Sequence, residues 1–188
     1  ADVYRRQAKY DADGDQQWVQ QLGSSDQDLG RGIAVNSAGD VFVAGFTYGT
    51  IGATSAGSAD AFLTKYDANG TQQWVQQLGT SATDDAREVA VDSAGNAFVT
   101  GYTSGSLEGT SAGSKDIFLT KYNASGAQQW VKQIGTSADD YGHGVAVDGA
   151  GNAFVTGYTS GSLEATSAGS NDAFLTKYDA NGTQQWTQ

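Results

Sequence analysis

The sequence predicts an all-β fold: a β-propeller of four-stranded antiparallel blades, with about three and a half blades in the chain. Four tryptophans recur every 56 residues, at Trp18, Trp74, Trp130 and Trp186, and a period of this size is typical of propellers and other repeat arrays. Each period holds four short segments of alternating polarity, and none has useful helical periodicity. The 188 residues include 26 glycines and no proline, which suits short strands and tight turns.

The period divides the chain into tandem repeats of a single propeller domain. A divergent first repeat covers residues 1–59, followed by full repeats at 60–115 and 116–171 and a partial one at 172–188. The full copies are close, since residues 89–106 and 145–162 differ only where Ser93 is replaced by Gly149. The needs of the repeat therefore explain most residues.

The first predicted hairpin of a repeat, hairpin A, is clearest at residues 60–78. Phe62, Thr64 and Tyr66 alternate with the residues between them, and a second alternating segment runs through Trp74. Between the two segments stands Asp-Ala-Asn-Gly. Asn-Gly is a strong hairpin signal, because both residues tolerate positive φ, and it predicts a turn here.

The second hairpin, hairpin B, covers residues 87–103. Alternation through Val89 and Val91 precedes a turn at residues 92–96, and a further strand follows through Phe98 and Tyr102. A glycine within this last strand, at Gly45, Gly101 and Gly157, predicts a bulge or a close backbone approach. Four antiparallel strands joined by small-residue loops describe a propeller blade. A parallel β-helix needs a shorter coil, and an immunoglobulin-like sandwich has about seven strands and no such repeat.

The hairpin VAVDSAGNAFVTGYT and the segment DAFLTKYDANG together resemble the bacterial β-propeller repeat called SBBP, which is related to NHL-type repeats. The resemblance covers nearly the whole chain. It implies that the VAVD strand is innermost, that a blade is hairpin B followed by hairpin A, and that Trp74 and its equivalents lie on the outermost strand between blades. It also implies an exported or cell-surface bacterial protein.

Counting hairpins gives three B-plus-A blades and a spare hairpin A at the start. That first hairpin departs from the pattern, with Arg6 in place of Phe62 and Gln7 in place of Leu63, as a worn end, a cap or a charged edge. Propellers have four to eight blades, so three make an open arc with two bare faces. The chain begins at Ala1, and we expect either a longer parent that supplies the remaining blades or a homodimer or larger ring.

Composition limits the partners. The net charge of −11 and the pI of about 4.2 disfavour nucleic acid and anionic lipid. The sequence has no apolar run long enough for a membrane span. It has no cysteine, which excludes disulfides and thiolate sites.

Two sets of charged residues recur around the start of the inner strand. They are Asp28, Asp84 and Asp140, and, three residues later, Arg31, Arg87 and His143. We take them as candidate ligand-binding residues on the loop face, where acidic groups are expected to bind a cation or a hydroxyl. The alternative is structural: the aspartates cap turns or strand amides, and pair with the cations that follow them.

Metal and sugar binding have weaker signals. Calcium is a candidate cofactor of the acidic loops, but it wants six or more oxygens and each loop offers one or two carboxylates, so no metal ligands are assigned. Residues 11–15 resemble the start of a calcium loop but lack its later glutamate, which predicts an ordinary turn. Tyr102, Tyr158 and Phe46 are expected either to stack on sugar rings or to pack between blades.

No catalytic group of residues is apparent. His143 is the single histidine, and no nucleophile or orienting acid for a triad stands out near it. The sequence therefore favours a non-enzymatic structural or interaction module that assembles with itself or with the blades of a parent chain. The alternative is a lectin-like module with one weak carbohydrate site per blade, strengthened by multivalency.

Overall fold

The structure, a computed structural model, describes residues 6–164 and 166–188, and within them it contains fourteen β-strands. In chain order they are β1 (Arg6–Tyr10), β2 (Gln16–Gln21), β3 (Asp28–Val35), β4 (Val41–Thr47), β5 (Asp60–Tyr66), β6 (Gln72–Leu78), β7 (Asp84–Val91), β8 (Ala97–Thr103), β9 (Asp116–Tyr122), β10 (Gln128–Ile134), β11 (Asp140–Val147), β12 (Ala153–Thr159), β13 (Asp172–Tyr178) and β14 (Gln184–Thr187).

The strands form three four-stranded antiparallel sheets and one two-stranded sheet. Blade 1 has the order β3-β4-β5-β6, blade 2 runs from β7 to β10, and blade 3 from β11 to β14. β1 and β2 form a half-blade. The predicted three and a half blades are thus confirmed, and each blade is hairpin B followed by hairpin A. The blades are offset by one hairpin from the repeats as the sequence divides them.

The blades approach one another most closely at their first strands. β3 lies against β7, and β7 against β11. A Cβ added to Gly32 would lie 2.6 Å from Cα of Glu88, so the backbones of β3 and β7 nearly touch. These strands are therefore the inner ones, and the tryptophans lie on the outermost strand of each sheet, as the resemblance implied.

Two cores lie between the blades. Phe42 and Leu63 of blade 1 pack with Val89 and Phe118 of blade 2. The equivalent residues of blades 2 and 3 form the second core, with Phe98, Leu119, Val155 and Phe174. Alternate side chains of a strand face opposite blades, so both faces of a blade are apolar. A blade consequently needs a neighbour on each side.

Three of the four tryptophans, Trp18, Trp74 and Trp130, fasten their sheet to hairpin A of the next blade. Trp74 donates from Nε1 to the carbonyl oxygen of Ala124 at 3.2 Å, and its ring lies edge-on to Phe42 with centroids 6.0 Å apart. Trp130 makes the same contact with Ala180. Trp18 of the half-blade makes it with Ala68. The half-blade therefore occupies the outer half of a blade that would precede blade 1.

The predicted tight turn of hairpin A is present, and only its glycine has positive φ. Gly70 has a φ of +83°, and the described residues contain no other residue type with positive φ. The cause is Asp67, whose Oδ1 accepts the amides of Asn69 and Thr71 at 2.9 Å each. The register shifts between Lys65 and Tyr66, so the turn ends in a glycine bulge.

The first hairpin pairs as β1 with β2 despite its altered sequence. The substitution at Arg6 concerns a side chain outside the described part of the structure. Gln7, which replaces a core leucine, has a buried Oε1 with no hydrogen-bond partner. The cap and the charged edge remain predictions.

We predict that Gly126→Ala lowers the free energy of unfolding by about 1–3 kcal/mol more than Gly14→Ala. Both glycines occupy the same turn position with φ near +86°, so both variants carry the cost of a left-handed alanine, about 1–2 kcal/mol. A Cβ at Gly126 would lie 2.8 Å from the Trp74 ring, whereas one at Gly14 meets nothing within 4 Å. Urea unfolding followed by tryptophan fluorescence measures both, and equal losses would contradict the role of the Trp74 seat.

Candidate functional site

Each inner strand has a bulge near its start. The register shifts between Gly30 and Gly32, between Ala86 and Glu88, and between Gly142 and Gly144. The extra residue in each case is Arg31, Arg87 or His143. A bulge re-aims the side chain of its extra residue, so the fold itself presents these three. The bulge predicted from Gly45, Gly101 and Gly157 lies on the partner strand, where a Cβ on Gly45 would collide with the carbonyl of Leu29.

Asp85 holds two of these cations together. Its Oδ1 lies 2.8 Å from Nε of Arg31, and its Oδ2 lies 3.3 Å from Nε of Arg87. The carboxylate is 2% exposed. Burial raises the pKa of Asp85, and the two guanidinium charges oppose that rise. Because Arg31 belongs to blade 1 and Arg87 to blade 2, the carboxylate joins the two blades at their inner edge.

Aromatic rings continue the cluster into blade 3. Tyr141 lies 4.9 Å from Tyr102 and 4.9 Å from Tyr158, centroid to centroid. His143 stacks at 5.5 Å and 25° on Tyr158 and at 6.2 Å on Tyr141. The Arg87 guanidinium lies 5.2 Å from the Tyr102 centroid, within the range of a cation–π contact. We call these seven residues the mouth cluster: Arg31, Asp85, Arg87, Tyr102, Tyr141, His143 and Tyr158.

The three aromatic residues singled out by the sequence have different surroundings. Phe46 is buried, under the Arg31 guanidinium at 5.2 Å. Tyr102 and Tyr158 are half-buried members of the mouth cluster. Burial is the largest cause of a raised pKa for both tyrosines, which therefore stay neutral hydroxyls at pH 7. Phe46 packs inside, while the other two form part of an accessible wall.

A further ion pair borders the cluster where blades 2 and 3 meet. Lys115 Nζ lies 3.1 Å from Oδ2 of Asp139, and the same ammonium lies 5.4 Å from the Tyr141 centroid. Ser114 donates its hydroxyl to the other carboxylate oxygen of Asp139. The hydroxyl and the ammonium lower the pKa of Asp139. This pair fixes the blade 3 side of the rim.

The candidate aspartates serve the loops. Asp28, Asp84 and Asp140 are buried, and each accepts the amide of the residue four positions earlier. The donors are Ser24, Thr80 and Thr136, at 2.8, 2.6 and 2.6 Å. Arg31 and Arg87 pair with Asp85 and not with the aspartates three residues before them, so the expected pairing was wrong. The structure therefore separates the two candidate sets, since the cations lie in the mouth cluster and the aspartates brace the preceding loop.

Sequence reasoning missed a second set of buried aspartates. Asp60 accepts Nε2 of Gln77 at 2.7 Å and the amide of Ala56 at 2.9 Å. Asp116 repeats this arrangement in blade 2. Burial is the largest cause of a raised pKa at Asp84, and the Asp60 carboxylate adds to it. Tyr141 was also missed, although the position changes type in every copy, and that variation was the available signal.

No group of three or more His, Cys, Asp or Glu side chains that could hold a metal ion is found among the described residues. In the calcium-like segment, Oδ1 of Asp11 accepts the amides of Asp13 and Asp15 at 3.1 and 2.9 Å. This is the turn seen at Asp67, with the carboxylate used by its own backbone. Calcium at the acidic loops remains a prediction.

Comparison with known proteins places the repeat. The family model described as Beta-propeller repeat, SBBP, matches residues 17–52, 73–108 and 129–164, which is more than half of the chain. The chain belongs to the SBBP β-propeller repeat family. Each match begins at the second residue of an outermost strand, in β2, β6 or β10, and runs through the inner hairpin of the next blade. Within the described residues of this SBBP chain there is no helix with the length and apolar character that a membrane crossing requires.

Two similar proteins are far longer than this chain. Regulatory protein FlaEY of Caulobacter vibrioides is 30% identical over 158 residues, which cover 75% of this chain and 17% of that protein. The uncharacterized WD repeat-containing protein L264 of Acanthamoeba polyphaga mimivirus is 25% identical over 185 residues, covering 77% of this chain and 13% of that protein. The SBBP chain thus spans less than a fifth of these two relatives.

A solved structure shows the same fold. The crystal structure of a Bacteroides caccae protein of unknown function aligns with a TM-score of 0.57 at 14% identity. The alignment covers 99% of this chain and 54% of that protein.

We predict that His143 titrates below 6.5. Burial is the largest cause of its lowered pKa, and the Arg87 and Arg31 charges add to it, against the opposing charge of Asp85. Arg87→Gln should raise the pKa and Asp85→Asn should lower it further. Because a lowered folded pKa disfavours the proton, His143 costs stability as the pH falls from above 6.5 through its folded pKa. It is the single histidine, so one NMR resonance reports it, and a pKa at or above 6.5 would contradict the geometry.

We predict that Asp84→Ala lowers the free energy of unfolding by about 2–4 kcal/mol, because it leaves the Thr80 amide and hydroxyl without their buried acceptor. Asp84→Asn keeps one acceptor and should lose less. Since the pKa of Asp84 is raised in the folded chain, its ionised form costs stability above that pKa, and the cost disappears as the pH falls below 3.8. The free energy of unfolding of wild type, measured with urea, should therefore rise relative to that of Asp84→Asn as the pH is lowered from 7 to 4. A difference between the two proteins that stays constant with pH would refute the raised pKa.

Proposed function

We propose that this SBBP chain is a non-enzymatic interaction module that acts as part of a propeller ring, completed by further blades of the same repeat. The observation that carries the proposal is the exposure, at the two ends of the arc, of side chains whose equivalents are buried between blades. Because the copies are so similar, each internal interface shows what an end face needs.

The first end lacks an inner hairpin. The half-blade covers the outer part of blade 1, where Trp18 and Leu22 pack on Tyr66 and its neighbours. Beyond its reach, Ile33 is 62% exposed, whereas its blade 2 equivalent, Val89, is 4% exposed. A further hairpin B beside β1 would cover this surface.

The other end lacks a whole blade. Leu175 is 40% exposed, while its equivalent Leu119 is 2% exposed. Fully burying a leucine gains about 1.5–3 kcal/mol, so the bare face is a strong site for association. Beside it lies a cavity of about 280 Å³ lined by Leu163, Phe174 and Thr187 among others. In blade 2, Gln133 of the outer strand bonds to the equivalent residues, accepting the amide of Leu107 and donating to the carboxylate of Asp116.

Two sources can supply the blades. The rest of a longer chain would continue the repeat, which the length of the two relatives supports. A second copy would add three blades and make a ring of six, with both half-blades displaced. Six blades fall within the range of known propellers.

A binding role fits the mouth cluster. His143 packs beside two tyrosines, Tyr141 and Tyr158, and among the described residues no side chain forms a hydrogen bond with it. The relatives are named as a regulatory protein and a WD repeat-containing protein, which supports interaction over catalysis. We further propose that the parent is exported or displayed on a bacterial surface, which rests on the family resemblance and is tested by cell fractionation.

A lectin-like module is the second candidate. Each blade has an aromatic residue at the same place on the second strand, namely Phe46, Tyr102 and Tyr158, and equivalent weak sites would gain from multivalency. Sugar titrations that saturate at one ligand per blade would favour this candidate.

We predict that light scattering of the isolated chain shows a dimer near twice 19.4 kDa, and that Leu175→Glu converts it to a folded monomer. The control is Leu119→Glu, which places the same charge in a buried internal interface and should unfold the chain. A dimer that survives Leu175→Glu would show that the end face is not the interface.

A monomeric wild type would assign the missing blades to a longer chain. The test is then a chain with a second copy of residues 133–188 added after residue 188, which continues the 56-residue period by one blade. We expect its melting temperature to rise and Leu175→Glu to become destabilising. No change in either would refute ring completion.

A further inference from the structure

The near-identical blades differ most where their side chains meet at the mouth. Residues 89–106 and 145–162 differ at a single position, yet residues that meet at the mouth vary between the copies. Leu29, Asp85 and Tyr141 differ in all three copies, as do Ala59, Lys115 and Asn171, and His143 stands where the other two copies have Arg31 and Arg87. The repeat cannot explain this variation. Arg31 contacts Asp85 across one blade boundary, and Lys115 lies over Tyr141 across the other. The mouth is therefore one asymmetric site and not three equivalent ones.

The centre of this site is two guanidinium groups held by one carboxylate. Asp85 brings Arg31 and Arg87 to the same buried group at 2.8 and 3.3 Å. One negative charge faces two positive ones, so the trio carries a net charge of +1 on a chain with a net charge of −11. Glu88, the next residue along β7, accepts the amide of Val89 and does not pair with either arginine.

The trio is incompletely paired. Asp85 Oδ1 and Arg87 Nε are buried and close to their ion-pair partners, but neither has a well-aligned hydrogen bond. Apart from Asp85 and the neighbouring Tyr102 hydroxyl, neither guanidinium has an acceptor among the described residues. A guanidinium carries five N–H donors in a planar fork that matches a carboxylate. Two such forks fixed side by side are prepared for an oxyanion.

The aromatic rings beside the two guanidinium groups indicate what kind of molecule would carry the oxyanion. Tyr102, Tyr141 and Tyr158 are half-buried and His143 is exposed. Together they form an aromatic wall that begins at Tyr102, beside Arg87. Such a wall offers flat apolar faces edged with hydroxyl groups, which suits a sugar ring with its C–H face and its own hydroxyls. Long polyanions such as nucleic acid are disfavoured by the charge of the rest of the chain.

We propose that the mouth cluster is a single binding site for an acidic saccharide, with the uronate carboxylate on Arg31 and Arg87 and the sugar ring against the tyrosine wall. Asp85 is a positioning residue, because it holds the two guanidinium groups without contacting the sugar. The inference deepens the proposed interaction role, and it replaces one weak site per blade with one site per arc.

The test is a titration of the whole chain with trigalacturonate, in which binding is measured by calorimetry and by the NMR signal of the single histidine. We expect a stoichiometry of one per chain, a shift of the His143 resonance, and at least tenfold weaker binding by Arg87→Gln and by Arg31→Gln. Lys132→Gln is the matched control, because it also removes one cation. Lys132 lies on the outer strand β10, where it pairs with Glu108, and this variant should bind as wild type does. Melting curves confirm that each variant is folded.

Other outcomes overturn the proposal. Equal binding of neutral galactotriose would leave the arginines without a role, and equal binding of acetate would leave the wall without one. Equal weakening by Lys132→Gln would mean general charge attraction. Light scattering of the same samples tests the proposed ring separately from the proposed saccharide site. Loss of sugar binding with assembly intact refutes the site alone. Loss of assembly with sugar binding intact refutes the ring alone.

Discussion

Every blade of this chain depends on having both of its faces covered. A four-stranded sheet whose alternate side chains are apolar on both sides cannot stand in water, and the inter-blade cores around Phe118 and Phe98 supply the cover. The tryptophan on the outermost strand sets the spacing between two blades. Its ring rests on the turn glycine of hairpin A in the next blade, and its Nε1 donates a hydrogen bond to that turn. Where the cover is missing, at Ile33 and Leu175, the same side chains become surface.

Polar groups complete what the cores begin. The buried aspartates at the ends of the strands accept amides of the loops that precede them, and so give the small-residue loops a fixed shape without apolar contacts. Their cost is visible at Asp84, whose neighbour Asp60 and whose burial both resist its charge. These carboxylates are part of the frame, and the frame leaves the residue at each inner-strand bulge free to vary.

That freedom gives the mouth its chemistry. A bulge adds one residue to a strand whose other positions are committed to pairing and packing, so Arg31, Arg87 and His143 are presented without disturbing the sheet. The repetition of the frame also makes the differences informative. Between the second and third repeats, five of the six positions from Thr83 to Glu88 differ, and these positions lie at the inner edge.

The sequence by itself determined the strand count and the open arc, because these follow from local alternation, turn residues and a period that repeats on one chain. The order of the two hairpins within a blade came from the resemblance to the SBBP repeat. The sequence also identified Arg31, Arg87 and His143, since a charged residue at one repeat position is visible in one dimension. It misassigned the partner of the two arginines, because that partner depends on which carboxylate reaches which cation in space. Only the tertiary structure decided that Asp85 joins two arginines across a blade boundary and that Tyr141 lies between Tyr102 and Tyr158. The reason is physical: contacts between blades join residues about one repeat apart, and among near-identical copies no local pattern tells which side chains will meet.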